Sequence, residues 1–231
     1  MSEKNSAVKH REVRSFVRRE GRMTPAQRQT MADSWLQYGV EMQQQFLDMD
    51  KLFKRSAPRV LEIGFGMGDS LADEAIAHPQ IDYLGIEVHR PGVGSLFRRL
   101  DASNTSNVRV VCDDAVKALR NMIPDASLDG VYLFFPDPWP KRRHHKRRIV
   151  QPVFAELLAE KLKGGGVLHM ATDWQEYASH MMAVLSETLN FANVAGEGQY
   201  SPRPDYRPLT KFEKRGQRLG HEVFDLIFIR R

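Results

Sequence analysis

From Pro58 onward, short apolar runs alternate with amphipathic stretches, the pattern of strands laid side by side in a parallel sheet with helices packed on it. The runs predict strands over residues 59–63, 83–88, 108–112, 128–135 and 167–171, a weak strand over 192–196 and a strong, mostly apolar one over 222–229. Helices fall between them, at 68–77, 90–100, 115–122, 147–162 and 174–189. The fold class is therefore α/β, with helices on both faces of the sheet.

Ahead of this pattern the periodicity fades. Residues 1–22 carry Lys4, Lys9, Arg11, Arg14, Arg18, Arg19 and Arg22 with few apolar residues between them, and read as a flexible basic arm. Thr24-Pro25 then supplies a cap followed by proline at the first helical position, which opens a helical extension running through Trp35 toward Phe46. Residues 23–231 are expected to form one domain. Within it, residues 198–220 are long and rich in Pro, Arg and Gly; a segment of that length in a compact domain is usually functional or disordered.

Composition narrows the picture. A chain of 231 residues, 42% hydrophobic, can bury the core of one large α/β domain. Lys and Arg total 34 against 29 Asp and Glu, and the net charge of +5 permits an anionic partner. Cys112 is the one cysteine, so no intrachain disulfide forms, and the His residues show no metal-ligand spacing. Neither a membrane span nor a signal peptide is apparent, so a cytoplasmic, metal-free protein is expected.

The first strand runs into Leu61-Glu62-Ile63-Gly64-Phe65-Gly66-Met67-Gly68-Asp69. Glycines at a strand-to-helix turn let the backbone approach a bound nucleoside. A dinucleotide fingerprint needs a glycine where Asp69 stands, which argues against a nicotinamide dehydrogenase. Glu87 ends the second strand, about 20 residues further on, where a ribose diol is held in such folds. Asp113-Asp114 follow the third strand, as an adenine contact or as the cap of the next helix.

The fourth strand ends in Pro136-Asp137-Pro138-Trp139-Pro140, and Lys141-Arg142-Arg143-His144-His145-Lys146-Arg147-Arg148 follows at once. Two prolines stiffen the backbone around Asp137, so that an acid and an aromatic face are presented at the crevice rim, a place to hold a flat base. The basic octapeptide is dense enough to neutralise several phosphates. A non-catalytic RNA-binding module would explain that run but leaves the glycine turn, Glu87 and Asp137 without a purpose.

From Thr24 to the C-terminus the chain resembles the bacterial tRNA (guanine-N7-)-methyltransferases. The matching blocks are LEIGFGMG (61–68), GIEVHRPGVG (85–94), LFFPDPWPKRRHHKRR (133–148), HMATDW (169–174) and TKFEKRGQRLGH (210–221). The resemblance implies a class I, Rossmann-like methyltransferase sheet, seven-stranded and mostly parallel with its last strand antiparallel. It implies S-adenosylmethionine as cofactor, S-adenosylhomocysteine as product, and N7 of a variable-loop guanosine in tRNA as acceptor. It assigns Glu62, Glu87, Asp114 and Asp137 to the cofactor, beside the glycines Gly64, Gly66 and Gly68, with Asp137 also the catalytic candidate. Substrate contacts are implied at Lys141, Asp173, Thr210, Lys211, Phe212 and Glu213. RNA contacts are implied at Arg143, His144, His145, Lys146, Arg147 and Arg148. The expected partner is tRNA, with no membrane and no obligate protein partner, the chain being a monomer or weak homodimer.

Overall fold

A computed structural model of the protein describes residues 15–16, 22–207, 213 and 222–231. The elements are α1 (Pro25–Tyr38), β1 (Gly39–Val40), α2 (Met49–Phe53), β2 (Arg59–Ile63), α3 (Asp69–Ala77), β3 (Asp82–Ile86), α4 (Arg90–Ala102), β4 (Val108–Val111) and α5 (Ala115–Asn121). They continue as β5 (Leu128–Phe134), a 3-10 turn at Arg142–Arg147, α6 (Pro152–Lys161), β6 (Leu162–Thr172), α7 (Gln175–Glu187), β7 (Phe191–Asn193) and β8 (Phe224–Arg230). Among the described residues the sheet has eight strands in the order β1-β4-β3-β2-β5-β6-β8-β7. All neighbours from β1 to β6 pair in parallel, while β8 runs antiparallel to both β6 and β7.

The seven expected strands are all present, and the eighth is the two-residue β1. The helical extension stops at Tyr38 rather than continuing toward Phe46, because Gly39 and Val40 pair with Val110 and Val111 at the sheet edge. The helix expected from Arg147 begins only at Pro152. Proline forces Gln151 into an extended conformation (φ −129°, ψ 160°), so helix cannot propagate through that position.

Side chains alternate across the sheet. Leu61 and Ile63 of β2 join a core with Leu119 of α5, Phe154 and Leu158 of α6, and Tyr177 and Met181 of α7. Val60 faces the other side, with Leu71 of α3, Leu96 and Phe97 of α4, and Met31 and Tyr38 of α1. Two helical layers thus enclose the sheet, and the carboxyl ends of β2, β3, β4 and β5 open along one edge. Among the described residues no helix is long and apolar enough to cross a membrane.

α1 matters for the site because it braces α4. Its N-terminus is closed by a capping box, Thr24 Oγ1 accepting from Gln27 N and Gln27 Oε1 from Thr24 N. The Gln27 amide then donates to Pro91 O at 3.2 Å, fixing the first turn of α4. At the opposite edge, buried Asn107 donates through one amide nitrogen toward Ala75 O, His78 O and Ile81 O, tying the end of α3 to the start of β3. Asn107→Ala leaves those carbonyls without this donor and should destabilise the protein by about 1–3 kcal/mol in urea unfolding. A change below about 0.5 kcal/mol would show that water replaces the amide at no cost.

Candidate active site

β2 delivers the chain into a turn in which Gly64, Gly66 and Gly68 have φ of 74°, 59° and 80°, the left-handed region that glycine enters without steric cost. This alternation explains the G-x-G-x-G spacing. Gly64 N donates to Ile86 O, which joins the turn to the end of β3. Glu87, one residue past β3, accepts from Gly66 N and from His89 N, both at 2.8 Å, so one carboxylate holds the turn and the start of α4 together. Gly92 completes the fit: a Cβ there would lie 1.9 Å from Gly66 O. Asp69 begins α3 and pairs with Arg99 at 3.1 Å.

These elements form one wall of a cavity of about 540 Å³. Its lining brings together Gly64, Gly66, Glu87, Asp113 and Asp137 with the apolar side chains of Ile63, Ile86, Leu133 and Phe134. The group implied by the resemblance fits: the volume is that of a small-molecule site, apolar walls suit a purine, and the carboxylates suit a ribose diol and a cationic tail. A Cβ at Gly64 or Gly66 would meet nothing within 4 Å, so the turn faces open space. The paired aspartates are divided. Asp113 lines this cavity, whereas Asp114 caps α5 by accepting from Lys117 N and lines a neighbouring one. The cap foreseen as an alternative is thus present at Asp114.

Glu62 points to the α3 side of the sheet, where it is buried. Desolvation, with repulsion from Glu74 and Glu87, pushes its carboxyl up to about 8. It is not part of the cavity lining.

Asp137 lies on the exposed rim of the cavity, in a loop whose geometry is costly. Phe135 and Trp139 take left-handed φ of 51° and 45°, rare for aromatic residues, and the strain is held by specific contacts. Phe135 N donates to Ala171 O at 2.7 Å. Arg148 is buried beneath the loop, donating to Pro138 O at 2.9 Å and to Glu176 at 3.1 Å, with its guanidinium over the Tyr177 ring. The expectation that Arg148 meets RNA is therefore corrected, since a guanidinium spent on these partners has no face left for a phosphate.

The rest of the basic run divides. Lys141, Arg142, Arg143 and Lys146 are exposed. Arg147 stacks over the Trp139 ring, 4.4 Å from its centroid, and His145 Nε2 lies 3.5 Å from Glu176. Desolvation and the neighbouring Arg143, Arg147, Lys141 and Lys146 lower the pKa of His144.

Glu213 is also turned inward. It accepts a bidentate pair from Arg207 at 2.7 and 2.9 Å, and Arg207 also reaches Asp225 of β8. His169 bridges Asp225 and the Tyr206 hydroxyl at 2.8 and 3.0 Å. Glu213 thus commits its carboxylate to Arg207 instead of offering it to a substrate. Thr210, Lys211 and Phe212 lie outside the described residues. Asp173 is half-buried, just past β6 and beside the Asp137 loop, but outside the cavity lining.

Sequence reasoning missed Ser15 and Phe16, which line the cavity; Ser15 O accepts from Trp139 Nε1 at 3.1 Å. An aromatic residue inside an otherwise basic arm was the available signal. Arg207, Tyr206 and Glu176 were missed as well, because their partners lie far off in sequence or on unremarkable helix positions. Among the described residues no three His, Cys, Asp or Glu side chains are grouped to hold a metal ion.

Two outcomes test this geometry. Glu62 is protonated more readily folded than unfolded, so its contribution to stability is present below about pH 4.5 and lost as pH rises toward about 8. Glu62→Gln should therefore gain on the wild type across that window, by up to about 1.4 kcal/mol per pH unit in chemical denaturation. A pH-independent difference would mean that Glu62 ionises normally. Gly92→Ala overpacks the turn by roughly 1–3 kcal/mol; if the turn yields, S-adenosylhomocysteine affinity falls by about tenfold or more in calorimetry. Unaltered affinity would separate the turn from the ligand.

Comparison with known proteins gives these features a family. A model described as "Putative methyltransferase" matches residues 56–226. A relative from Hydrogenovibrio crunogenus named tRNA (guanine-N(7)-)-methyltransferase is 56% identical over 220 residues, covering 95% of this chain and 92% of its own. Another of that name, from Stutzerimonas stutzeri, is 53% identical over 229 residues, 99% of this chain and 96% of its own. The likeness therefore begins well before Thr24 and includes the basic arm. Among solved structures, the 16S rRNA methyltransferase KamB superposes with a TM-score of 0.59 at 14% identity, covering 81% of this chain and 95% of its own. At that identity it speaks for the fold, a class I methyltransferase sheet. With cofactor turn, proline-flanked aspartate and nearly full-length identity in agreement, the chain belongs to the tRNA (guanine-N7-)-methyltransferase family.

Proposed function

We propose that the protein transfers the methyl group of S-adenosylmethionine to N7 of a variable-loop guanosine in tRNA, forming 7-methylguanosine. The observation that carries this reading is the single cavity on which Gly64, Gly66, Glu87 and Asp137 converge, with exposed cations beginning at its rim. Glu87 lies where the ribose diol would be held, and the Asp113-Asp114 corner is where the adenine edge would meet a carboxylate. The cofactor supplies, when bound, an electrophilic methyl group on a sulfonium.

Guanine N7 has a free lone pair and no proton, so the site needs no strong general base. The protein's task is to hold N7 in line with the methyl group and to exclude water. Attack builds positive charge on the purine. Asp137 accepts from guanine N1–H and the exocyclic amine, which selects guanine over adenine and offsets that charge. The stiff Pro136 and Pro138 keep the carboxylate in place as the base enters. Trp139 is engaged by Ser15, His144 and Arg147, so it serves as a floor for the loop more than as a free stacking face.

A nicotinamide dehydrogenase would place glycine at position 69, where Asp69 instead pairs with Arg99. Incubation with labelled S-adenosylmethionine and unmodified tRNA, followed by nucleoside analysis, should yield 7-methylguanosine. Asp137→Ala should slow its formation by roughly 10²-fold or more while S-adenosylhomocysteine binding weakens less. Label in another nucleoside would reject N7 as acceptor, and unchanged turnover in the variant would remove Asp137 from the mechanism.

A further inference from the structure

A second cavity, of about 360 Å³, adjoins the first: Ser15 lines both. It lies between α5 and the Arg142–Arg147 turn, and Lys117, Arg120, Asn121 and Lys146 are on its wall. Lys117 and Arg120 stand three residues apart on α5 and share its exposed side. Neither they nor Lys146 pair with a carboxylate among the described residues. Asp114 is the one acid in the lining, and its Oδ1 already accepts from Lys117 N at the start of α5.

Three unpaired cations facing one cleft repel one another, and a line of negative charge relieves that repulsion. The two cavities meet at Ser15, whose carbonyl accepts from Trp139 of the Asp137 loop, so a polymer whose base enters the first cavity would lay its backbone in the second. We propose that Lys117 and Arg120, with Lys146, form a phosphate clamp for the tRNA backbone beside the target guanosine, and that the Asn121 amide adds a hydrogen bond to phosphate or ribose. This extends the RNA-binding surface beyond the basic run onto α5. It rests on tRNA being the substrate.

Each phosphate contact contributes about 0.7–0.9 to the slope of log affinity against log salt. Lys117→Ala with Arg120→Ala keeps good helix formers on α5. The double variant should lower the slope for unmodified tRNA by about 1–2 and raise KM for tRNA, with S-adenosylhomocysteine affinity unaltered. A control with the same charge loss, Lys51→Ala with Arg98→Ala on α2 and α4, should keep the wild-type slope. Equal slopes for wild type and the α5 variant, or an equal loss in the control, overturn the clamp while wild-type methylation leaves the reading it rests on standing. Failure of the wild type to bind tRNA overturns both.

Discussion

The carboxylate of Glu87 holds the amides of Gly66 and His89, and so fixes the glycine turn against the start of α4. β2 and β3 are paired in register from Arg59 and Asp82 to Ile63 and Ile86, which brings Gly64 and Glu87 to the same edge of the sheet. Gly64 N still donates to Ile86 O, and from Gly66 onward Glu87 supplies the next link. A carboxylate has about four lone-pair sites, so the two backbone bonds leave capacity for a ribose diol. The same group can therefore shape the crevice and contact its occupant. Gly92 makes a complementary demand from α4, since its missing Cβ lets Gly66 O sit where it does.

Buried charge does similar work further along the edge. Arg148 holds the Asp137 loop from below, and Arg207 ties Glu213 and Asp225 together. Desolvating a guanidinium is costly unless several acceptors surround it, which both sites provide. Such posts are stiff, and they support loops that carry left-handed aromatic residues. The basic run thus divides: Arg148 builds the loop, while Lys141, Arg142, Arg143 and Lys146 remain exposed to solvent.

Much of this was legible in the sequence. Apolar runs located all seven expected strands, most plainly the parallel ones, which are buried on both sides, and the glycine spacing located a turn that only glycine can follow cheaply. Three features escaped for physical reasons. β1 is two residues long and is defined by pairing with Val110 and Val111, which no local pattern encodes. Arg148 and Glu213 carry charge that looks solvent-facing in sequence, yet tertiary partners draw both inside. Ser15 and Phe16 sit in a stretch whose composition suggests solvation, and their docking depends on Trp139 more than a hundred residues away.

The central claim is spatial: the glycine turn and Asp137 are two walls of one cofactor site. A crystal structure of the protein with S-adenosylhomocysteine tests it directly. The account predicts the ribose on Glu87 and the sulfur between the Gly64–Gly66 turn and Asp137, on the side open to the basic rim. Ligand density elsewhere, or a bound state in which Asp137 is separated from the sulfur by more than the breadth of a purine, would contradict it.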